Sequence, residues 1–265
     1  MKIAFMGAGK MGMWMANELS MNHDVAVYDI DRMKLVDCGP KLTVIHEMDS
    51  IESFGPDILI NAVSLKNTVS AFETIEKYLE GDCILCDIAT IKGGIEDYYR
   101  KSAFSFVSMH PMFGPTFAKM DALKEESAII IKESDKVGAD FFKAFFKDHN
   151  VKIFEYSFNE HDRMMAYSLT LPFISSITFA SCISGNVVPG TTFSKHMRIA
   201  KGLLSEDDQL LTEILFNPHS HAELDRITAK LEYLKHIIRG KDNEEMETFL
   251  MRLRKNIFEG DGVHG

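Results

Sequence analysis

A glycine-rich turn near the start of the sequence limits the fold more than any other feature. Gly7, Gly9 and Gly12 form a G-x-G-x-x-G pattern between an apolar segment, residues 2–6, and a helical pattern, residues 13–19. In a strand–turn–helix unit the first glycine allows a tight turn, the second lets backbone approach a pyrophosphate, and the third lets helix and strand pack closely. The pattern therefore predicts a dinucleotide-binding turn made of Gly7, Ala8, Gly9, Lys10, Met11 and Gly12.

An acidic residue follows the second predicted strand. Asp29 ends the apolar segment 24–28 and lies 22 residues after Gly7. In dinucleotide-binding units an acid about 20 residues beyond the glycine turn binds the adenosine ribose hydroxyls. A carboxylate there would repel the 2′-phosphate of NADP, so NAD is the favoured cofactor. The alternative is that Asp29 or Asp31 caps the next helix, and Asp31 is the better cap because Arg32 begins that helix.

Strand and helix patterns alternate along the first part of the chain and then stop. Alternation as far as residue 156 is typical of a doubly wound sheet. From Glu160 onward only helical patterns follow, and residues 164–180 form an apolar one that predicts a buried helix in spite of Pro172. We therefore predict an α/β protein with a Rossmann-type domain over residues 1–156 and an all-helical domain over residues 157–265.

Polar side chains lie just past the ends of three of the predicted strands. They are Ser64, Thr90 and His110. Ligands of open α/β sheets bind beyond the carboxyl ends of the strands, so these side chains are candidate ligand contacts. Pro111 biases His110 toward an extended conformation, and an imidazole can accept a proton near neutral pH. Thr90 as the cap of a helix from Ile91, and His110 as a histidine bonded to loop backbone, remain alternatives.

Three motifs resemble those of the prephenate/arogenate dehydrogenase family of tyrosine biosynthesis, and the resemblance covers most of the chain. They are GAGKMG at residues 7–12, DIATIKG at 87–93 and HPMFGP at 110–115, of which the last is the most specific. Glu160-His161-Asp162 and Arg198-Ile199-Ala200 extend the resemblance.

The resemblance implies an NAD-dependent oxidative decarboxylation. Hydride leaves the ring carbon that bears the hydroxyl, a histidine takes the hydroxyl proton, and loss of carbon dioxide makes the ring aromatic. His110 matches that histidine, Thr90 matches the accompanying hydroxyl residue, which is usually serine, and Arg198 matches the arginine that holds a substrate carboxylate. His161 is expected to bind substrate. The implied substrate is prephenate or arogenate, and the implied assembly is a homodimer formed through the helices after Ser157.

Two positions depart from the family pattern. Many members carry a histidine twelve residues after the one that matches His161, where this chain has Phe173. Some members carry an acid where this chain has Thr116. Both departures concern substrate selection, so they bear on the choice between prephenate and arogenate and leave the hydride-transfer residues unchanged.

Composition narrows the partners and the compartment. The 265 residues carry a net charge of −10 with no basic tract, which argues against nucleic acid as a partner. No run of about 18 uncharged apolar residues is present, so we expect no membrane span. The C-x-x-C pair Cys83 and Cys86 falls in a predicted strand that points the two thiols to opposite faces, so we expect no metal site and reduced cysteines. An apolar strand directly after Met1 leads us to expect a cytoplasmic protein.

Two other functions fit part of the pattern. A β-hydroxyacid dehydrogenase would share the first helix, but it would use a lysine from the first long helix of its second domain. No lysine lies between Lys152 and Lys195. A dinucleotide-sensing regulatory protein without catalysis would keep the glycine turn but would not require His110 and Thr90 at adjacent strand ends.

Overall fold

The computed structural model describes residues 1–114, 123, 126–185 and 188–258. Pro115 of the HPMFGP motif, Thr116 and the end of the predicted helical domain, residues 259–265, therefore lie outside the described residues.

One sheet of eight strands organises the first part of the chain, in the order β3-β2-β1-β4-β5-β6-β7-β8. Neighbouring strands are parallel except for β6 and β7, which are antiparallel. The predicted doubly wound α/β fold is confirmed. The strands are β1 (Lys2–Met6), β2 (Asp24–Tyr28), β3 (Leu42–Ile45), β4 (Ile58–Asn61), β5 (Ile84–Asp87), β6 (Phe106–Pro111), β7 (Ser127–Ile131) and β8 (Lys152–Tyr156).

Helices follow most of the strands and then make up the rest of the described chain. They are α1 (Lys10–Leu19), α2 (Ser50–Phe54), α3 (Leu65–Ile75), α4 (Ile95–Lys101), α5 (Lys136–Asp148), α6 (Phe158–Met165), α7 (Leu171–Ser181), α8 (Thr191–Leu203), α9 (Asp208–Leu215), α10 (Ser220–Gly240) and α11 (Asn243–Phe258). No pattern in the sequence predicts α2 or α8. A five-residue helix is too short to show a 3.6-residue period, and α8 buries only Ala200 among its residues.

The sheet is buried on both faces because alternate residues of each strand point to opposite sides. In β1, Ile3 and Phe5 join a core with α1 and α5, whereas Ala4 and Met6 join a core with α3, α4 and α6. This double burial explains why the inner strands are continuous apolar runs.

Strand β6 extends further than its sequence predicted. Met109, His110 and Pro111 pair with β7, so His110 lies within the strand and not in the loop after it. On its other side β6 pairs with β5 only as far as Ser108. The missing N–H of Pro111 therefore interrupts no second ladder, which is how a proline is tolerated at a strand end.

The apolar helical segment is less buried than predicted. It begins at Phe158, passes through a π-helical stretch at Ala166–Thr170 and continues as α7, where no residue is buried. The wider turn before Pro172 accommodates its ring and its missing N–H. The expectation of a buried helix over residues 164–180 is therefore wrong for α7 within one chain.

One helical stretch of the described chain, Phe158–Ser181, is long and apolar enough to cross a membrane when judged by length and composition. The expectation that the chain has no membrane-spanning segment therefore does not hold when length and composition are the criteria. They are weak evidence, because core helices of soluble proteins also meet them.

Two compact units divide the chain, one formed by Met1–His219 and the other beginning at Ser220. Helices α6 to α9 thus belong to the same unit as the sheet. In the second unit α10 and α11 contact each other through the rings of Tyr233 and Phe249, 5.4 Å apart, and the Tyr233 hydroxyl donates to Glu245. The domain boundary after residue 156 remains a prediction.

Candidate active site

The three glycines of the turn have distinct surroundings. Gly7 has a φ of +103°, and a Cβ on it would lie 2.6 Å from the Ala62 carbonyl oxygen. A Cβ on Gly12 would lie 2.5 Å from the Gly7 carbonyl oxygen, whereas one on Gly9 would meet no atom within 4 Å. Gly7 and Gly12 therefore allow the tight turn and the close helix–strand packing, and Gly9 leaves the open space that a pyrophosphate needs.

The start of α1 suits an anion. Gly9 precedes the helix, and no side chain caps the N-terminus. An uncapped N-terminus presents N–H groups and the positive end of the helix dipole. The turn is held against β2 because Gly7 N–H donates to the Tyr28 carbonyl at 2.8 Å.

A cavity of about 520 Å³ opens beside this turn, where the strand order reverses between β1 and β4. Such a switch point is where ligands bind in open α/β sheets. The predicted residues Gly7, Gly9, Asp29 and Ser64 line it. Its size and its glycine wall fit a dinucleotide.

Asp29 links the cavity to the glycine turn. It is buried, one carboxylate oxygen accepts from Ala8 N–H at 2.7 Å, and the other accepts from Asp31 N–H at 2.8 Å. The ammonium of Lys34 lies 3.6 Å from the first of these oxygens and also lines the cavity. Asp31 caps the following 3₁₀ turn by accepting from Met33 N–H, as the sequence predicted. Asp29 is therefore a cavity residue that also holds the turn.

His110 lies in a buried chain of polar groups. Its Nδ1 is 3.1 Å from Nε2 of His161, and Nδ1 of His161 is 2.9 Å from Oδ1 of Asp162. The same Asp162 oxygen accepts from Lys92 N–H at 2.9 Å. The Asn217 amide donates to the Asp162 carbonyl at 2.8 Å. Because His110 is 5% exposed and His161 0%, the protein surrounds both rings almost completely.

A buried ion pair lies next to this chain. The Lys92 ammonium donates to Oδ2 of Asp87 at 2.5 Å and to the Met109 carbonyl at 2.7 Å. The Tyr99 hydroxyl donates to the other Asp87 oxygen at 3.0 Å. Neither charged side chain is exposed. Lys92 therefore fixes the backbone of the residue that precedes His110.

The surroundings of His110 keep its ring neutral. Burial lowers the pKa of His110 well below its usual value of 6.5, and the nearby His161 and Lys92 lower it further. Burial also lowers the pKa of His161, although its bond to Asp162 acts in the opposite direction. A neutral imidazole has a lone pair for a proton, so His110 is ready to act as a base at neutral pH.

The segment after His110 is anchored to the glycine-turn helix. The Phe113 ring packs edge-on against Trp14 of α1, with centroids 5.3 Å apart and planes at 79°. Trp14 also contacts Phe145 of α5. These contacts tie the segment that follows the histidine to the helix that starts at the dinucleotide turn.

The other predicted site residues lie apart from this cluster. Thr90 is half-buried beyond β5, Ser64 is exposed at the start of α3, and Arg198 is exposed on α8. In the described part of the chain, no hydrogen bond joins Thr90 or Arg198 to His110. Both ring nitrogens of His161 contact protein groups, so the ring nitrogens do not offer the direct substrate contact expected of them.

Sequence reasoning missed the roles of Asp87, Lys92 and Asp162. All three occur in the motifs quoted above, where an acid ends a strand and a lysine follows five residues later. Nothing in the sequence indicates that the lysine is buried, because lysines almost never are unless paired.

The cysteines show no reactive environment. Cys38, Cys83, Cys86 and Cys182 are free thiols. Burial raises the pKa of Cys83 to about 12 and that of Cys86 well above its usual value. Among the described residues, no group of three or more His, Cys, Asp or Glu side chains is arranged to hold a metal ion.

Comparison with known proteins is consistent with this geometry. Residues 15–154 match the family described as prephenate dehydrogenase, nucleotide-binding domain. A probable arogenate/prephenate dehydrogenase of Methanocaldococcus jannaschii is 23% identical over 257 residues, covering 90% of this chain and 56% of that protein. The chain thus spans about half the length of that curated relative.

Two solved structures share the whole fold. Prephenate dehydrogenase from A. aeolicus, in complex with hydroxyphenyl propionate and NAD+, superposes with a TM-score of 0.81 at 20% identity, covering 97% of each chain. Synechocystis arogenate dehydrogenase has a TM-score of 0.75 at 16% identity, covering 99% of this chain and 100% of that one. At these identities the likeness establishes the fold.

The buried ion pair gives a test of stability. Lys92→Met leaves the Asp87 carboxylate buried without its cation, so the free energy of unfolding should fall by about 3–5 kcal/mol. The double variant Lys92→Met/Asp87→Asn removes that charge and should recover part of the loss. Urea unfolding measures both variants. A double variant no more stable than Lys92→Met would show that the uncompensated charge is not the cause.

Proposed function

Because the chain belongs to the prephenate dehydrogenase family, we propose that it catalyses the NAD-dependent oxidative decarboxylation of prephenate to 4-hydroxyphenylpyruvate, or of arogenate to tyrosine. The observation that carries this proposal is the buried, neutral imidazole of His110, on the sheet that also carries the dinucleotide cavity. Family membership does not support the alternative activity of a β-hydroxyacid dehydrogenase, and the catalytic lysine of such an enzyme is missing from the sequence.

The cofactor in this proposal is NAD, which accepts the hydride when bound. The glycine turn and the uncapped start of α1 would hold its pyrophosphate. Asp29 would accept hydrogen bonds from the adenosine ribose, since each of its oxygens has a further lone pair. The family's nucleotide-binding domain and the A. aeolicus relative with NAD+ support this cofactor.

The substrate would lie over the carboxyl ends of β5 and β6. There His110 would accept the proton of the ring hydroxyl, and Thr90, beyond the neighbouring strand, would donate a hydrogen bond to the same oxygen. Arg198 would hold a substrate carboxylate as a fork-shaped cation. Phe173, where many relatives have a histidine, leaves the choice between prephenate and arogenate to experiment.

We also propose a cytoplasmic homodimer that forms through the helices after Ser157. Exposed apolar side chains on those helices support it: Met164, Tyr167, Ile199, Leu204 and Phe216. Helix α7, which is apolar but has no buried residue, adds to this surface. A second copy packed on these helices would remove such side chains from water.

His110→Asn tests the proposed reaction. Asparagine keeps one hydrogen bond but cannot take up a proton, so kcat should fall at least about a hundredfold while NAD still binds. The acidic limb of the pH profile, expected below pH 6.5 because the pKa of His110 is lowered, should disappear. The assay pairs prephenate, arogenate and a β-hydroxyacid with NAD and NADP, and exposed His236→Asn is the control. Near-normal turnover by His110→Asn would remove His110 from the mechanism.

Asp29→Ser tests the cofactor preference. The unmodified protein should prefer NAD, and the variant should lose at least about tenfold of that preference because Lys34 becomes available to a 2′-phosphate. Adding Lys34→Met should weaken NADP binding again by about tenfold. Cofactor titrations measure each affinity. Equal use of NAD and NADP by the unmodified protein would contradict the assignment.

Arg198→Ala tests the carboxylate contact. A charge-assisted hydrogen bond contributes about 1.5–3 kcal/mol, so KM should rise roughly tenfold to a hundredfold with NAD binding intact. Arg239→Ala, which removes an exposed arginine from α10, is the matched control. An unchanged KM would mean that Arg198 does not contact the substrate.

Ile199→Asp tests the assembly. Light scattering at micromolar concentration should show a dimer for the unmodified protein and a monomer for this variant, because a buried charge opposes association. Val137→Asp, at an exposed position of α5, should remain dimeric. A monomeric unmodified protein would rule out the proposed dimer.

A further inference from the structure

His110, His161 and Asp162 are linked in a line by two hydrogen bonds. The first joins Nδ1 of His110 to Nε2 of His161 at 3.1 Å, and the second joins Nδ1 of His161 to Oδ1 of Asp162 at 2.9 Å. His161 has no exposed surface, and both polar atoms of its side chain, the two ring nitrogens, are used. The line therefore ends at the other ring nitrogen of His110, Nε2, for which the described part of the chain supplies no hydrogen bond.

The direction of each bond follows from the Asp162 end. A carboxylate only accepts, and this oxygen already accepts from Lys92 N–H at 2.9 Å, so Nδ1 of His161 must carry a proton. In a neutral His161 ring Nε2 then has a lone pair and can only accept. The proton of the first bond must therefore come from Nδ1 of His110. This leaves Nε2 of His110 as the unprotonated nitrogen of a neutral ring.

We propose that His161 and Asp162 are positioning residues that hold His110 in the tautomer with its proton on Nδ1 and its lone pair on Nε2. This inference rests on the proposed function, because it identifies Nε2 as the nitrogen that accepts the substrate proton. In this proposal His161 contacts the base His110, whereas the sequence predicted that His161 contacts the substrate directly.

With NAD as the hydride acceptor, the protons and electrons of the reaction balance. The O–H bond of the substrate would break as an N–H bond forms at Nε2 of His110, while the carbon that bears this oxygen would give its hydride to bound NAD. The electron pair of the bond to the leaving carboxylate would then move through the ring onto that oxygen, and carbon dioxide would depart. The resulting phenolate would take the proton back from Nε2, and until then His110 is an imidazolium that still donates from Nδ1 to His161, with the Asp162 carboxylate beyond.

Three parts of the fold carry the titratable groups around His110. His161 and Asp162 lie on α6, Lys92 lies between β5 and α4, and Asp87 at the end of β5 pairs with Lys92. Tyr99 of α4 donates to Asp87 and stays neutral, because burial raises its pKa well above the usual value. The Lys92–Asp87 pair is internally neutralised, so Asp162 is the anion that responds to a charge on His110.

The tautomer can be measured without substrate or cofactor. Two-bond ¹H–¹⁵N correlation spectra of the full chain with ¹⁵N-labelled histidine distinguish protonated from bare ring nitrogens. His110 is assigned by the signals that disappear in His110→Asn. At neutral pH we expect a protonated Nδ1 and a bare Nε2 in the unmodified protein. A protonated Nε2 with a bare Nδ1 would overturn the proposal.

Two substitutions of His161 separate positioning from packing. His161→Leu fills the space but removes the acceptor, so His110 should lose the fixed tautomer and kcat should fall by about tenfold or more with KM nearly unchanged. His161→Gln can place its carbonyl oxygen near the former Nε2, so it should restore the Nδ1–H tautomer and part of kcat. His221→Leu is the control, since His221 also pairs with an aspartate, Asp225, but is exposed.

Asp162→Asn tests the charge at the far end of the line. Its amide oxygen can still accept from Lys92 and His161, but the anion that favours a protonated His110 is gone. The pKa of His110 should fall further, and the acidic limb of the kcat/KM profile should move to lower pH. If the acidic limb of the kcat/KM profile does not move in Asp162→Asn, the three residues have only a structural role. The same conclusion follows if His161→Leu keeps the native His110 tautomer and the native kcat.

Failure of this inference can be told apart from failure of the proposed function. If the unmodified protein oxidises neither prephenate nor arogenate, the proposed function is wrong, and the spectrum of the free protein still decides the tautomer. If it oxidises one of them while His110 has its proton on Nε2, the function stands and the positioning role is wrong.

Discussion

The buried pair of Lys92 and Asp87 is the interaction on which the geometry of the site depends. Two charges without exposed surface are tolerated only if each is paired and hydrogen-bonded, and here the Met109 carbonyl and the Tyr99 hydroxyl complete the set. The Lys92 side chain fixes the backbone before His110, and its backbone N–H fixes the carboxylate of Asp162. One residue thereby positions both ends of the histidine line, which a hydrophobic replacement of the same volume would not do.

The cofactor turn and the proposed base are held by the same compact unit. Helix α1 carries the glycine turn at its start and Trp14 on a later turn, and Trp14 packs against Phe113 three residues beyond His110. Aromatic edge-on pairs of this kind contribute about 0.5–1.5 kcal/mol beyond their buried area. A displacement of α1 would therefore be felt at the histidine segment. Hydride transfer and proton transfer at one substrate carbon require such a fixed spacing.

Local signals in the sequence were sufficient for the fold and for part of the site. The glycine turn, Asp29 and the strands β1 and β2 follow from neighbouring residues alone, and the structure has them where predicted. The extent of β6 was not predictable in this way, because His110 joins the strand only through pairing with β7. The same applies to Lys92, whose burial depends on Asp87 and Met109. It also applies to α7, where no residue is buried in the described chain although Phe179 packs against Phe193 of α8.

The interposed histidine explains how His110 can be both neutral before reaction and stabilised after it. A carboxylate in direct contact with an imidazole, about 4 Å away at an effective dielectric constant of 20, would favour the imidazolium by about 4 kcal/mol. That is about three pKa units toward a protonated base, and at His161, which bonds Asp162 directly, only the larger effect of burial outweighs it. His161 separates Asp162 from His110 by the width of a ring, and doubling the separation roughly halves the attraction. Burial then outweighs it and keeps His110 neutral, while the more distant anion still favours the charge that forms when the proton arrives.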